Sequence, residues 1–397
     1  MMRPEYSQPT AELQLLLLFA RLELVPSQRD AALSLCARIN DWPSLFQQAE
    51  AQFILPLVNR HLRALQPVQI PSQHFEHLHR QCLEIAQHGL RIAAIQRQLA
   101  RKLLISEDVP YLFFKGPALA LRYYNDPGLR FCRDIDLLVN GRDMPRLLAR
   151  ALQHGFAPYL PADLKDDRES LEFLCRVQPV ITLISPEGVA IEFHQRLDQG
   201  GNLYSTSELI EAAEPLTLGD TTLMVMPTEE LFLYCCLHHS RHHWSHLHWL
   251  VDLDAIQRHP DFDIKAVRAC AKRRGLEATL QASLAFYRAC TEPTSWQAKG
   301  LDRRANDLLA SCLRTVQGGK AAELELREQN ITADFAFAWQ ARPMQRIRNR
   351  ANRLIRPLRP SYSDYHDRPL PQAWQWLYWL TRPLRALRQR FGDDARP

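Results

Sequence analysis

The chain has 397 residues, of which 46% are hydrophobic and 23% charged, with 14 Gly, 26 Pro and 9 Cys. That balance excludes a wholly disordered chain, a collagen-like repeat and a small disulfide-stapled scaffold. The net charge of +5 hides an asymmetry, because residues 342–397 hold thirteen Arg, no Lys and four Asp, which leaves the rest of the chain net negative.

The apolar run from Leu13 to Val25 is interrupted by Gln14, Arg21 and Glu23, which makes it too short and too polar to span a bilayer. The N-terminal MMRPEYSQPT has no apolar signal core. Cysteines scattered from Cys36 to Cys312, without a metal-type CxxC, fit a reduced cytoplasmic setting. Leu13, Leu16, Leu17 and Ala20 recur at i, i+3, i+4 and i+7. Leu78, Cys82, Ile85, Leu90, Ile92, Ile95 and Leu99 repeat at helical spacing between Phe75 and Leu104. With Pro26, Pro43, Pro56, Pro67 and Pro71 as breaks, residues 1–105 read as a helical module.

The pattern changes at Val109. Val109-Pro-Tyr-Leu-Phe-Phe-Lys115 reads as a buried strand feeding the Lys115-Gly116 turn, and Pro117 opens a helix to about Tyr124. After a loop over Asn125, Asp126, Pro127 and Gly128, Arg133-Asp-Ile-Asp-Leu-Leu-Val139 reads as an apolar strand opened by two acids. A helix from about Arg142 to His154, closed by Gly155, follows. Val177–Ile184 and Val189–Leu197, joined by Ser185-Pro-Glu-Gly188, predict a hairpin. From Pro227 the pattern is helical again to about residue 330. A long helix begins at Thr228 and contains His238 and His242, and Trp249 to Ile256 continues the helical pattern. The divisions that follow are 1–105, 106–205, 206–330 and an Arg- and Trp-rich tail, 331–397.

Asp134 and Asp136 stand at i and i+2 of one strand, so their side chains point the same way. Two carboxylates that close repel unless something positive lies between them. A divalent cation, Mg2+ or Mn2+, answers that need and takes substrate phosphates as further ligands. In Val189-Ala-Ile-Glu-Phe-His194, Glu192 and His194 alternate with core-type Ile191 and Phe193. If this strand lies beside the first, Glu192 adds a third carboxylate to the metal. The Lys115-Gly116 turn opens a helix whose free N–H groups and dipole suit an anion, and Arg133 can hold phosphate oxygens. Acids for a metal, a helix N-terminus for phosphate and nearby cations together fit phosphoryl or nucleotidyl transfer. The plainer alternatives are a D-x-D pair without catalytic consequence and a Glu192 exposed at a sheet edge.

Phe114-Lys-Gly-Pro-Ala-Leu-Ala-Leu-Arg-Tyr-Tyr124, followed by Arg130-Phe-Cys-Arg-Asp-Ile-Asp-Leu-Leu-Val139, resembles the uncharacterised nucleotidyltransferase family of bacteria, within the DNA-polymerase-beta-like nucleotidyltransferase superfamily. A second signature, His238-x-x-x-His242-x-Trp244-x-x-Leu247-x-Trp249-x-x-Asp252, extends the resemblance over about residues 85–260. The resemblance implies an α+β fold, with a small mixed β-sheet core flanked by N- and C-terminal helical modules. It implies metal-dependent transfer of a nucleoside monophosphate from an NTP, with ATP as the expected donor. The acceptor hydroxyl is left open among a sugar, a small metabolite, a peptide or protein side chain and an RNA end. By position it makes Asp134, Asp136 and Glu192 the catalytic, metal-binding acids and sets Lys115 and Gly116 at the phosphate-binding turn. Gly116-Pro117 stands where the superfamily usually has Gly-Ser, and a catalytically silent nucleotide sensor of the same fold is the alternative.

Residues 238–248 hold six His. On a continuous helix His238 and His242 share a face. That pair binds zinc only with a third ligand, which Asp252 supplies only if the helix bends. Without a third ligand, His194, His238, His242 and Asp252 are expected on the substrate side, with Trp244 and Trp249 in the core. In the tail, Pro371-Gln-Ala-Trp-Gln-Trp-Leu-Tyr-Trp-Leu380 leads into Thr-Arg-Pro-Leu-Arg-Ala-Leu-Arg-Gln-Arg390. Aromatics beside arginines suit peripheral contact with an anionic membrane at its inner surface, docking onto the protein's own acidic body, or a nucleic-acid backbone.

Overall fold

The computed structural model describes residues 9–67, 70–198, 203–291, 302–328, 339–355 and 358–383. The first eight residues, and Arg385, Arg388 and Arg390 of the tail, lie outside the described residues. The chain forms two compact units, each made of three segments. One comprises residues 1–91, 117–132 and 228–342, and the other 92–116, 133–227 and 343–397.

The first unit is helical in its described parts. Its opening helix, Ala11–Phe19, starts where the Thr10 hydroxyl accepts the Leu13 N–H at 3.3 Å. Leu15, Leu16, Leu17 and Leu18 are all buried, so the apolar run is enclosed on every side rather than amphipathic. Arg21, which interrupts that run, is buried too. Its Nε donates to the Leu18 carbonyl at 2.7 Å and its Nη1 to the Thr291 carbonyl at 3.1 Å, which satisfies carbonyls in the last turns of two helices.

The helix Thr228–Arg241 ends before His242, which the sequence pattern places inside it. His243 and Trp244 adopt left-handed φ of 59° and 52°, and the Trp244 N–H reaches back to the His239 carbonyl at 2.9 Å. The chain then restarts as the helix His248–Arg258. A glycine usually marks such an end, and none is present here. The break is instead held by Trp244, which is fully buried, with its indole N–H on the Ser240 hydroxyl at 3.3 Å.

The second unit carries a seven-stranded mixed sheet, the α+β arrangement flanked by helices that the sequence predicts. Its strands are β1 (Tyr111–Phe113), β2 (Asp134–Val139), β3 (Ala157–Leu160), β4 (Val180–Ile184), β5 (Ala190–His194), β6 (Glu214–Leu218) and β7 (Thr221–Val225). They lie in the order β3-β4-β5-β2-β1-β7-β6. β2 pairs in parallel with β5 and β1 in parallel with β7, and the other neighbours are antiparallel. β2 is central, and Ile135, Leu137, Leu138 and Val139 have no exposure, as expected of a strand covered on both faces.

The β4–β5 hairpin closes as predicted. The Ser185 N–H meets the Val189 carbonyl at 2.8 Å, and Gly188 takes the left-handed turn position at φ 84°. β4 starts at Val180 rather than Val177, because Arg168–Val177 is a helix capped by Asp167, whose carboxylate accepts the Ser170 N–H at 2.9 Å. The strands β6 and β7 were not anticipated. Their turn, Gly219-Asp220 between alternating runs, is nonetheless a hairpin signal of the ordinary kind.

Candidate active site

The parallel pairing of β2 with β5 sets Asp136 opposite Glu192, Asp134 opposite Ala190 and Leu138 opposite His194. Side chains alternate along each strand, so Asp134, Asp136, Glu192 and His194 share one face of the sheet, while Ile135, Leu137, Ile191 and Phe193 fill the other. The strand adjacency on which the sequence made the third carboxylate conditional is present, and it sets Glu192 beside Asp136. Thr182 of β4, buried and in register with Glu192, extends the same row. Its place follows from the hairpin register, which the turn alone could have indicated.

The distances tie the cluster together. The Lys115 ammonium lies 2.9 Å from Asp136 Oδ1. His194 Nε2 lies 3.2 Å from Asp136 Oδ1 and 3.2 Å from Glu192 Oε2. The ligand-type atoms of Asp136, Glu192 and His194 all lie within 4.8 Å of one another, and no other trio of His, Cys, Asp or Glu among the described residues does so. Phe114 touches both groups, with its ring 5.0 Å from the His194 ring in an edge-on contact and 5.5 Å from the Lys115 ammonium. Asp136 is 2% exposed and Glu192 33%, so the cluster runs from a buried inner carboxylate to an outer one open to solvent.

Burial resists ionisation of Asp136, yet the Lys115 charge and the His194 hydrogen bond outweigh it and hold the carboxyl well below the usual range. Asp134 shows the opposite balance. Burial and the adjacent Asp136 charge push its carboxyl up to about 6, against the opposing pull of Lys115. For His194, burial opposes protonation, but hydrogen bonds to Asp136 and Glu192 raise its pKa overall. Arg133, exposed at the mouth of β2, faces Asp134 closely enough for its charge to favour that carboxylate.

Gly116 sits where no other residue fits easily. Its φ is 56°, and a Cβ there would lie 2.8 Å from the Asp134 carbonyl oxygen. The Lys115-Gly116 turn is therefore pressed against the backbone of β2 at its first acid. That contact brings the Lys115 ammonium to Asp136.

His238, His242 and Asp252 belong to the first unit. The His238 and His242 rings lie 4.6 Å apart, beside Trp249, and His239 stacks on Trp249 at 4.6 Å. Asp252 does not complete a three-ligand group with them. It is buried with Arg130, whose Nε and Nη2 donate to its two oxygens at 2.8 and 2.9 Å, and the Tyr124 hydroxyl donates to Oδ1 at 2.7 Å. Both sequence signatures thus contribute to one internal network, in which Tyr124 and Arg130 from the first hold Asp252 at the end of the second.

The donor set on the sheet face fits a divalent cation. Carboxylate oxygens suit Mg2+ or Mn2+, and one imidazole nitrogen is acceptable to Mn2+. A comparison with curated proteins returns no match. A family model described as uncharacterised nucleotidyltransferase matches residues 39–292, well over half of the chain and all of the strands just described, and the chain belongs to that family.

Proposed function

We propose that the second unit transfers a nucleoside monophosphate from an NTP, with ATP as the expected donor, to an acceptor hydroxyl. The observation that carries this reading is the row of Asp134, Asp136 and Glu192 on adjacent parallel strands, beside the glycine turn that presents Lys115. The order of strand, Lys-Gly turn, helix and D-x-D strand supports a place in the DNA-polymerase-beta-like superfamily. Nine buried cysteines, none in a disulfide, support a cytoplasmic setting.

Asp134, Asp136 and Glu192 would hold Mg2+ or Mn2+, with His194 as a further donor, and the cation would neutralise triphosphate charge. Lys115 and Arg133 supply fixed positive charge for phosphate oxygens, and Gly116 allows the turn to close on β2. Glu192, or one of the aspartates, would accept the acceptor hydroxyl's proton. The acceptor oxygen bonds to the α-phosphorus, the bond to the bridging oxygen breaks, and pyrophosphate leaves. His194 braces Asp136 and Glu192 at equal distance, which keeps the two carboxylates from separating.

The test is incubation of the protein with each α-labelled NTP, Mg2+ or Mn2+ and a cell extract, beside Asp136→Asn. Label entering an acceptor at least about a hundredfold faster with the parent is expected. Equal label with the variant overturns the catalytic assignment. A second reading, a nucleotide sensor without turnover, draws on one observation: the Lys115 ammonium already neutralises Asp136 at 2.9 Å. Thermal stabilisation by ATP with metal, and no label in any extract, would select the sensor.

A further inference from the structure

The helix Pro343–Ile355 in the second unit is turned inside out relative to a packed surface helix. At 3.6 residues per turn, Met344, Ile347, Leu354 and Ile355 fall within an arc of about 100°. These four residues are 74%, 60%, 77% and 41% exposed. The face that is half-buried carries Gln345, Asn349 and Asn352, and the Arg359 guanidinium holds the Asn352 side chain at 2.8 Å. Arg348 and Arg350, both exposed, border the apolar arc on its two sides. A globular helix normally buries the first kind of face and exposes the second.

A second apolar element lies further along. Trp374, Trp376, Trp379 and Leu380 are each about half exposed, at 56%, 56%, 47% and 62%. The segment that carries them is anchored, not loose. Tyr378 is buried edge-on to Phe173, its hydroxyl bonds the Arg368 carbonyl at 2.6 Å, and Arg176 reaches Gln375 at 2.6 Å.

We propose that these two elements dock the protein on the surface of an anionic lipid bilayer. The helix lies in the interface with its aliphatic arc towards the acyl chains and its arginines among the headgroups, and the indoles sit at headgroup level. The charge is complementary: residues 342–397 carry thirteen Arg against four Asp. No helix among the described residues is long and apolar enough to cross a membrane. A nucleic-acid backbone would engage the arginines but leaves the Met344–Ile347–Leu354 arc without a partner. A symmetric pair of such helices would bring Arg348 and Arg350 of two copies together, and like charges oppose it.

The experiment is co-sedimentation of the full chain with vesicles of phosphatidylcholine alone or with about one third phosphatidylglycerol, without nucleotide. Binding to the anionic vesicles alone is expected, weakened severalfold at about 0.5 M NaCl. The double variant Ile347→Glu with Leu354→Glu should lose at least about tenfold in partitioning. Both positions are exposed, so its far-UV circular dichroism and melting should match the parent. No binding to either vesicle overturns the proposal. So does vesicle binding that the double variant retains, or that RNA of equal charge abolishes, since each points to arginines alone. Dimerisation that the double variant breaks, without vesicle binding, assigns the face to a second copy and also overturns it. Asp136→Asn should bind vesicles as the parent does, which keeps this result separate from that of the transfer assay.

Discussion

Asp136 carries a buried charge held by Lys115 and His194, and protons act on each member of the group in a different range. Its carboxyl is depressed, so the stability it contributes is present above the unfolded value near 4 and is lost as pH falls through its lower folded value. His194 is raised, so its contribution is complete below about 6.5 and is lost as pH rises through its folded value. Asp134 is raised to about 6, so the folded state loses stability as pH climbs from about 4 to 6. His194→Gln should therefore destabilise the metal-free protein at pH 6, and the gap to the parent should narrow well above pH 7. Urea unfolding across that range would show it, and a gap that stays constant would contradict the assignment. Asp134→Asn should stabilise the metal-free protein by about 1–2 kcal/mol above pH 6 while lowering transfer activity. Stability and activity moving together on that substitution would argue against a site role for Asp134.

At the scale of elements, the decisive contacts are those between a turn or helix and its neighbouring backbone. Gly116→Ala places a methyl group 2.8 Å from the Asp134 carbonyl in a left-handed conformation, with backbone rather than a flexible side chain in the way. A cost of about 2–3 kcal/mol and displacement of Lys115 are expected. Melting curves and a raised KM for NTP would both register it, and unchanged values would mean the turn adapts. In the first unit the Arg130–Asp252 pair is doubly bonded and buried, and removal of one partner strands the other charge. Arg130→Ala should cost about 3–5 kcal/mol, whereas Tyr124→Phe should cost only about 1 kcal/mol. Denaturant titration of both variants distinguishes this order from its reverse. The α+β pattern was readable because β1, β2 and the β4–β5 hairpin are short apolar runs with recognisable turns. The helix end at Arg241 was not, because no glycine or proline announces it and the buried Trp244 imposes it through tertiary packing.

For the whole molecule, a ligand that binds only the folded site stabilises it by mass action. ATP with Mn2+ at about 100 times its dissociation constant should add about 2.7 kcal/mol, a rise of a few degrees in melting temperature. Asp136→Asn should abolish the rise, and a rise that survives this change would place the ligand elsewhere. The chain alone determined which residue types were available: two acids at i and i+2, a third acid on a period-two strand, a Lys-Gly turn, and an arginine-rich end without lysine. Periodicity and composition are local properties, so they survive in one dimension. Only the tertiary structure decided that β5 lies beside β2 in parallel, that Glu192 faces Asp136, that Lys115 and His194 meet the same carboxylate, and that Asp252 closes on Arg130. Those outcomes depend on which strands pair and in what register, and pairing energy comes from contacts between residues far apart in sequence, which local pattern cannot encode.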